Sequence, residues 1–144
     1  MQQQTEAILQ CLIRENIRRK ERNLSAEKCV NHQEVKTFFK HSAEQSDGFV
    51  MELDIVLRTY GGSIGNAAVV HSDEDAYEFA PCDSDQSVLI NWCNWEDKLL
   101  NTYQEILDNS RILDNLLFEK IRSQKYALNE GKNKIIALQA KMES

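Results

Sequence analysis

Six polar residues fall where a helical sequence would otherwise place apolar ones: Asn16, Arg19, Ser42, Ser46, Glu96 and Gln124. Each occupies a core-facing step in a three-and-four-residue rhythm of apolar side chains, so each is expected inside a helical bundle. At a rise of about 1.5 Å per residue they lie roughly 17–24 Å from the nearer short turn, close to mid-height, and should share one level. A polar layer at that depth has two uses. It can hold two iron or manganese ions between carboxylates, a centre that reacts with oxygen or peroxide. Alternatively, it fixes the relative positions of helices through buried hydrogen bonds and ion pairs.

The residue types favour the second use. A dinuclear centre of this kind takes a glutamate from each of two helices and a Glu-x-x-His motif from each of the other two, because hard carboxylates bridge the metals and imidazoles complete the shell. No Glu-x-x-His occurs in the chain, and its histidines, His32, His41 and His71, fall at a helix start, off the core-facing positions and in a linker. Glu96 is the one acid at a core-facing position; Glu15, Glu21, Glu44, Glu52 and Glu130 lie off them. Arg19 is expected in the same layer, where a guanidinium repels a dication and satisfies a carboxylate. The expectation is a buried Arg19–Glu96 pair supported by Asn16, Ser46 and Gln124, with Ser42 alongside, no catalytic residue and no metal.

Other chemistries lack their parts. Gly61-Gly62-Ser63-Ile64-Gly65 follows a helix and has neither the strand nor the lysine of a phosphate-binding loop. Asp83-Ser84-Asp85 has no calcium-loop glutamate after it, and helix capping by Ser84 or Asp85 accounts for it. Cys11, Cys29, Cys82 and Cys93 include no CxxC pair and read as reduced core thiols; Cys93 has no histidine beside it to make a nucleophile. Arg14, Arg18, Arg19, Lys20 and Arg22 form one basic stretch, but Glu15 and Glu21 interrupt it and no aromatic residue accompanies it, the pattern of a solvated helix face. The net charge is −6, and no lysine or arginine occurs between Arg58 and Lys98, where eight acids fall. That balance argues against nucleic acid and against an anionic membrane surface as partners.

These residues need long helices to position them. At 144 residues, 42% hydrophobic, 28% charged and with one proline, the chain suits one domain with one core and few helix breakers. Periodicity marks helices over about 5–28, 32–60, 85–107 and 113–142. The second is the most regular: Val35, Phe39, Ser42, Ser46, Phe49, Leu53, Val56 and Tyr60 keep a 4-3-4-3 rhythm. It opens with Asn31 and Glu34 in capping-box spacing and stops at Gly61-Gly62. The third runs through Leu89, Trp92, Glu96, Leu99, Tyr103 and Ile106, and the fourth through Leu117, Ile121, Gln124, Leu128, Gly131, Ile135, Leu138 and Met142. The first uses Leu9, Leu12, Asn16, Arg19, Asn23 and Ala26. Short turns near 29–31 and 108–112 make two antiparallel hairpins, and the linker 61–84 is long enough to cross the full length of the bundle. The fold class is thus all-α, a four-helix bundle of two antiparallel hairpins joined by a long crossover, in a single domain over 1–144.

Phe39, Gln45-Ser46, Phe49, Glu52-Leu53 and Gly61-Gly62, followed by Cys93, Glu96-Asp97 and Tyr103 and then Gln124-Lys125, Ile135 and Leu138, resemble a family of uncharacterised bacterial proteins with a ferritin-like four-helix fold. The resemblance runs from about Leu9 to Leu138. It implies the ferritin-like arrangement and an oligomer rather than an activity. The chain departs from the family in having Asn23 in place of a late tyrosine in the first helix, Lys132 in place of a histidine in the fourth, and an acidic crossover.

The functional expectation is a non-enzymatic interaction or scaffold protein, most simply a homodimer, with a structural polar layer and no cofactor; the alternative is a di-iron or di-manganese carboxylate protein. Trp95, off the core-facing positions, suits a dimer face. No run of 18 apolar residues is present, and Met1 to Glu6 lacks the form of a signal peptide, so the expected compartment is the cytoplasm.

Overall fold

A computed structural model describes residues 2–62, 84–109, 111 and 113–143. Among them are four long α-helices and no strand: α1 (Gln2–Cys29), α2 (Gln33–Thr59), α3 (Asp85–Asp108) and α4 (Asn115–Glu143). The crossover expected over 61–84 lies outside the described residues except at its ends, and with it His71 and Cys82. No described helix is long and apolar enough to cross a membrane.

Local chemistry sets the helix ends. α2 closes with a double glycine turn: Gly61 N–H donates to the Arg58 carbonyl at 3.0 Å and Gly62 N–H to the Leu57 carbonyl at 3.1 Å. Gly61 sits at φ +82, where a side chain would be strained. Ser84 caps the start of α3, its hydroxyl accepting from Ser87 N–H at 3.1 Å. α4 starts at Asn115 rather than at 113, because the Asp114 carboxylate takes the Leu117 N–H at 2.8 Å and caps the first turn. The capping box expected of Asn31 and Glu34 does not form. The N-cap of α2 is His32, with no side-chain cap bond. The amides of Asn31 and His32 instead donate to the Asp85 carboxylate, at 3.0 and 3.2 Å from Asn31 and 3.0 Å from His32. A carboxylate in the first turn of α3 thus serves the entry of α2 as well as its own helix dipole.

The helices pack as a four-helix bundle: α1 lies against α2 and α3, and α4 against α2 and α3. Two apolar clusters form the core. One joins Leu9, Leu12 and Ile13 to Phe49, Leu53 and Leu57, to Leu99, Leu100 and Tyr103, and to Leu117, Ile121 and Leu128. The other joins Ala26 and Val30 to Val35 and Phe39, to Val88, Leu89 and Trp92, and to Ile135. The rings of Phe38 and Phe39 meet Trp92 at centroid distances of 5.3 and 5.8 Å in edge-on and tilted geometries, which suit aromatic quadrupoles. At one end Tyr60 donates its hydroxyl proton to Asp114 at 2.6 Å, while Asp85 binds the α1–α2 turn at the other. Between the clusters along α1, α2 and α3 the buried residues, Ala43 apart, are polar.

Candidate functional site

α1 carries the polar face of this middle region through Asn16, Arg19, Arg22 and Asn23, all buried. Asparagine is a poor mid-helix residue because its amide competes for backbone bonds. Here both amides use that tendency: Asn16 Nδ2 donates to the Leu12 carbonyl and Asn23 Nδ2 to the Arg19 carbonyl, each at 2.9 Å and each one turn back. Each also bonds a side chain of α3. Asn16 Nδ2 also donates to the Tyr103 hydroxyl at 3.0 Å, and Asn23 Oδ1 accepts from Trp92 Nε1 at 2.8 Å.

Arg19 and Glu96 lie between those two clasps. Arg19 Nε donates to both carboxylate oxygens of Glu96, at 3.0 and 3.1 Å, and Nη1 reaches α2 to bond the Ser46 hydroxyl at 2.9 Å and the Ser42 carbonyl at 3.1 Å. Arg19 is 0% and Glu96 1% exposed. A second guanidinium completes the group: Arg22, 2% exposed, places Nη2 3.6 Å from Glu96 Oε2. The other face of Arg22 lies over the Trp95 ring at 5.3 Å, with Lys98 Nζ over the same ring at 4.6 Å.

Arg22 corrects the sequence reading, which assigned it with its basic neighbours to a solvated face. It stands three residues beyond Arg19 and four before Ala26, on the side of the buried stripe that meets α3, so packing encloses it. Trp95 is likewise half-buried, its ring covered by cations of its own chain.

Of the six residues singled out in the sequence, all are buried, but they form two networks. Arg19, Glu96, Ser46 and Ser42 meet at one level, Ser42 through its backbone carbonyl rather than its hydroxyl. Asn16 and Gln124 bond to other partners than the ion pair. They belong to a chain running from Asn16 through the Tyr103 hydroxyl to Gln124 Oε1 at 2.7 Å, and from Gln124 Nε2 to the Phe49 carbonyl at 3.4 Å. Carbonyls bound it at both ends and can only accept, so the amides of Asn16 and Gln124 have one possible orientation and Tyr103 must donate to Gln124. Tyr103 was legible as a core residue. Its role as the link follows from the need of a buried phenol for a partner.

Burial favours the neutral forms of the phenol and thiols in and around the layer. Burial raises the Tyr103 phenol well above its ordinary value, against smaller opposing effects of the Asn16 bond and Arg19, so it stays a neutral donor. Burial also raises the Cys93 thiol, with Lys132 pulling the other way, and raises Cys11, with Glu15 adding to it. A protonated thiol is a poor nucleophile and a poor metal ligand. His32 is half-buried and His41 exposed, and Glu44, Glu21 and Glu130 are exposed. Among the described residues no group of three or more His, Cys, Asp or Glu side chains is arranged to hold a metal ion. A groove of about 770 Å³ between the start of α1 and the end of α3, lined by Gln4, Ile8, Glu105 and Arg111 among others, is separate from this layer.

Among known protein families, characterised proteins and solved structures, none matches this chain.

Proposed function

We propose that this chain is a non-enzymatic helical bundle that acts as an interaction or scaffold protein, with a homodimer as its working form and the cytoplasm as its compartment. In this reading the polar layer specifies how the helices meet and takes no part in a reaction. One observation carries it: the single carboxylate in the layer, Glu96, is enclosed between two buried guanidiniums, Arg19 and Arg22. A carboxylate so neutralised has no affinity to spare for a dication, and cations of the same sign guard it.

The same reading gives the bundle a ferritin-like order of two antiparallel hairpins. Its support is the pairing of side chains. Asn16, Arg19 and Asn23 meet Tyr103, Glu96 and Trp92 in reverse order. Tyr60 at the end of α2 bonds Asp114 before α4, while Asp85 at the start of α3 bonds the α1–α2 turn, which supports a linker that joins opposite ends of the bundle. Support for a partner surface comes from exposed apolar side chains, above all Met51 and Ile55, each 66% exposed and one turn apart on α2, with Leu116 at 79% on α4.

The rival reading, a di-iron or di-manganese protein, needs Glu96 to exchange two guanidiniums for metal. Elemental analysis of protein purified without chelator, together with light scattering, separates the two. The proposal expects no stoichiometric iron or manganese and a mass of twice 16.6 kDa. Two iron or manganese ions per chain refute the structural reading of the layer, and a monomer at all concentrations refutes the dimer.

A further inference from the structure

Among the enclosed side-chain atoms of the described residues that have no protein partner are Asn16 Oδ1, an acceptor, and Arg19 Nη2, a donor. Both side chains are 0% exposed. They project from α1 three residues apart, a spacing that puts them on one face, one above the other. Neither atom can be rescued by rearranging the bonds around it. Turning the Asn16 amide over would set its oxygen against the Leu12 carbonyl, which cannot donate, and the Tyr103 proton is already committed to Gln124 Oε1. The other nitrogens of Arg19 are held by Glu96, Ser46 and the Ser42 carbonyl.

Whatever serves both atoms has to donate to one and accept from the other. An anion accepts from the guanidinium but offers nothing to the amide oxygen, and a cation is repelled by Arg19 and Arg22 together. A larger hydroxyl-bearing solute would have to reach two side chains that are both 0% exposed. We propose that a single internal water bridges Arg19 Nη2 and Asn16 Oδ1, so that the ion pair and the Asn16–Tyr103–Gln124 chain become one continuous network. The site is built by this chain alone and does not depend on the scaffold reading, since it rests only on the chemistry of two side chains. Buried polar atoms of this kind are the usual partners of conserved internal waters, which take two to four bonds each.

A crystal structure of the unmodified protein that resolves ordered solvent tests this. The expected result is one density peak within about 3.2 Å of both atoms. Direct contact of Nη2 with Asn16 Oδ1 or with Glu96, or an empty space between them, overturns it. Oxygen-17 relaxation dispersion in solution gives a second readout: Asn16→Leu removes the acceptor and should lower the number of long-lived waters by one relative to the unmodified protein. An unchanged count in a folded variant overturns the assignment, and if that variant does not fold, the crystal structure of the unmodified protein decides alone.

Discussion

Glu96→Gln removes one negative charge from a group of two positive ones without changing the size of the side chain. Arg19 Nε lies 3.0 Å and Arg22 Nη2 3.6 Å from the carboxylate. At an effective dielectric of about 20, each attraction is roughly 5 kcal/mol before desolvation is counted. Desolvation offsets much of that in the intact protein, but the substitution leaves both guanidiniums enclosed and mutually repelling, with a neutral amide oxygen as their only acceptor at this position. Breaking a buried pair from one side costs about 3–5 kcal/mol, and two stranded cations put this case in the upper part of that range. A domain of this size has only about 5–15 kcal/mol to lose. With a urea slope of about 2 kcal/mol per molar, the unfolding midpoint should fall by roughly 2 M. Urea titrations followed by helical circular dichroism measure this, with Glu119→Gln as the control, because Glu119 pairs with Arg122 on the exposed surface at 2.7 Å. The control should leave the midpoint in place. If Glu96→Gln shifts it no more than the control does, the carboxylate is not the buried hub described here.

Three further outcomes follow from the same geometry. Tyr103→Phe strands Gln124 Oε1 and deprives Asn16 Nδ2 of one acceptor, costing about 1–3 kcal/mol in the same urea titration. Because burial raises the Tyr103 phenol in the folded state, its contribution is fully present below the ordinary value of 10.0 and is lost as pH rises beyond it, so unmodified protein should lose stability in alkali more steeply than Tyr103→Phe. Asp114→Ala removes the cap of α4, at a cost of about 1 kcal/mol. The Tyr60 hydrogen bond, then the Leu117 amide, hold the Asp114 carboxyl below its ordinary 3.8, so that contribution is present above this value and fades as pH falls through the folded one; in Tyr60→Phe a carbon-13 titration should find the Asp114 midpoint moved up. Gly61→Ala forces a side chain into φ +82 and should cost about 1–2 kcal/mol by thermal or urea unfolding.

The helices themselves were legible because apolar side chains recur with the period of a helix, and a polar residue interrupting such a row is visible as an interruption. That is how Arg19, Glu96, Asn16 and Gln124 could be named from spacing alone. What spacing does not carry is the offset between helices. A shift of one turn, about 5.4 Å, decides whether Gln124 faces the ion pair or Tyr103, and turn lengths do not fix it that closely. Arg22 was hidden for a different reason: Arg18, Lys20 and Glu21 around it make it one member of a mixed-charge stretch, and only the approach of α3 separates it from its neighbours. The cap of α2 was misassigned because its acceptor, Asp85, is 53 residues from His32, and local rules look only a few residues away.

The claim on which the rest depends is that Arg19 and Glu96 meet inside the bundle. A double-mutant cycle of Arg19→Met and Glu96→Gln measures this most directly, from the unfolding free energies of the two single variants and the double. The two losses should be strongly non-additive, with a coupling of about 2–3 kcal/mol, as for groups in direct contact in one network. Losses that add to within about 0.5 kcal/mol would mean that the two side chains act independently, and would contradict the account.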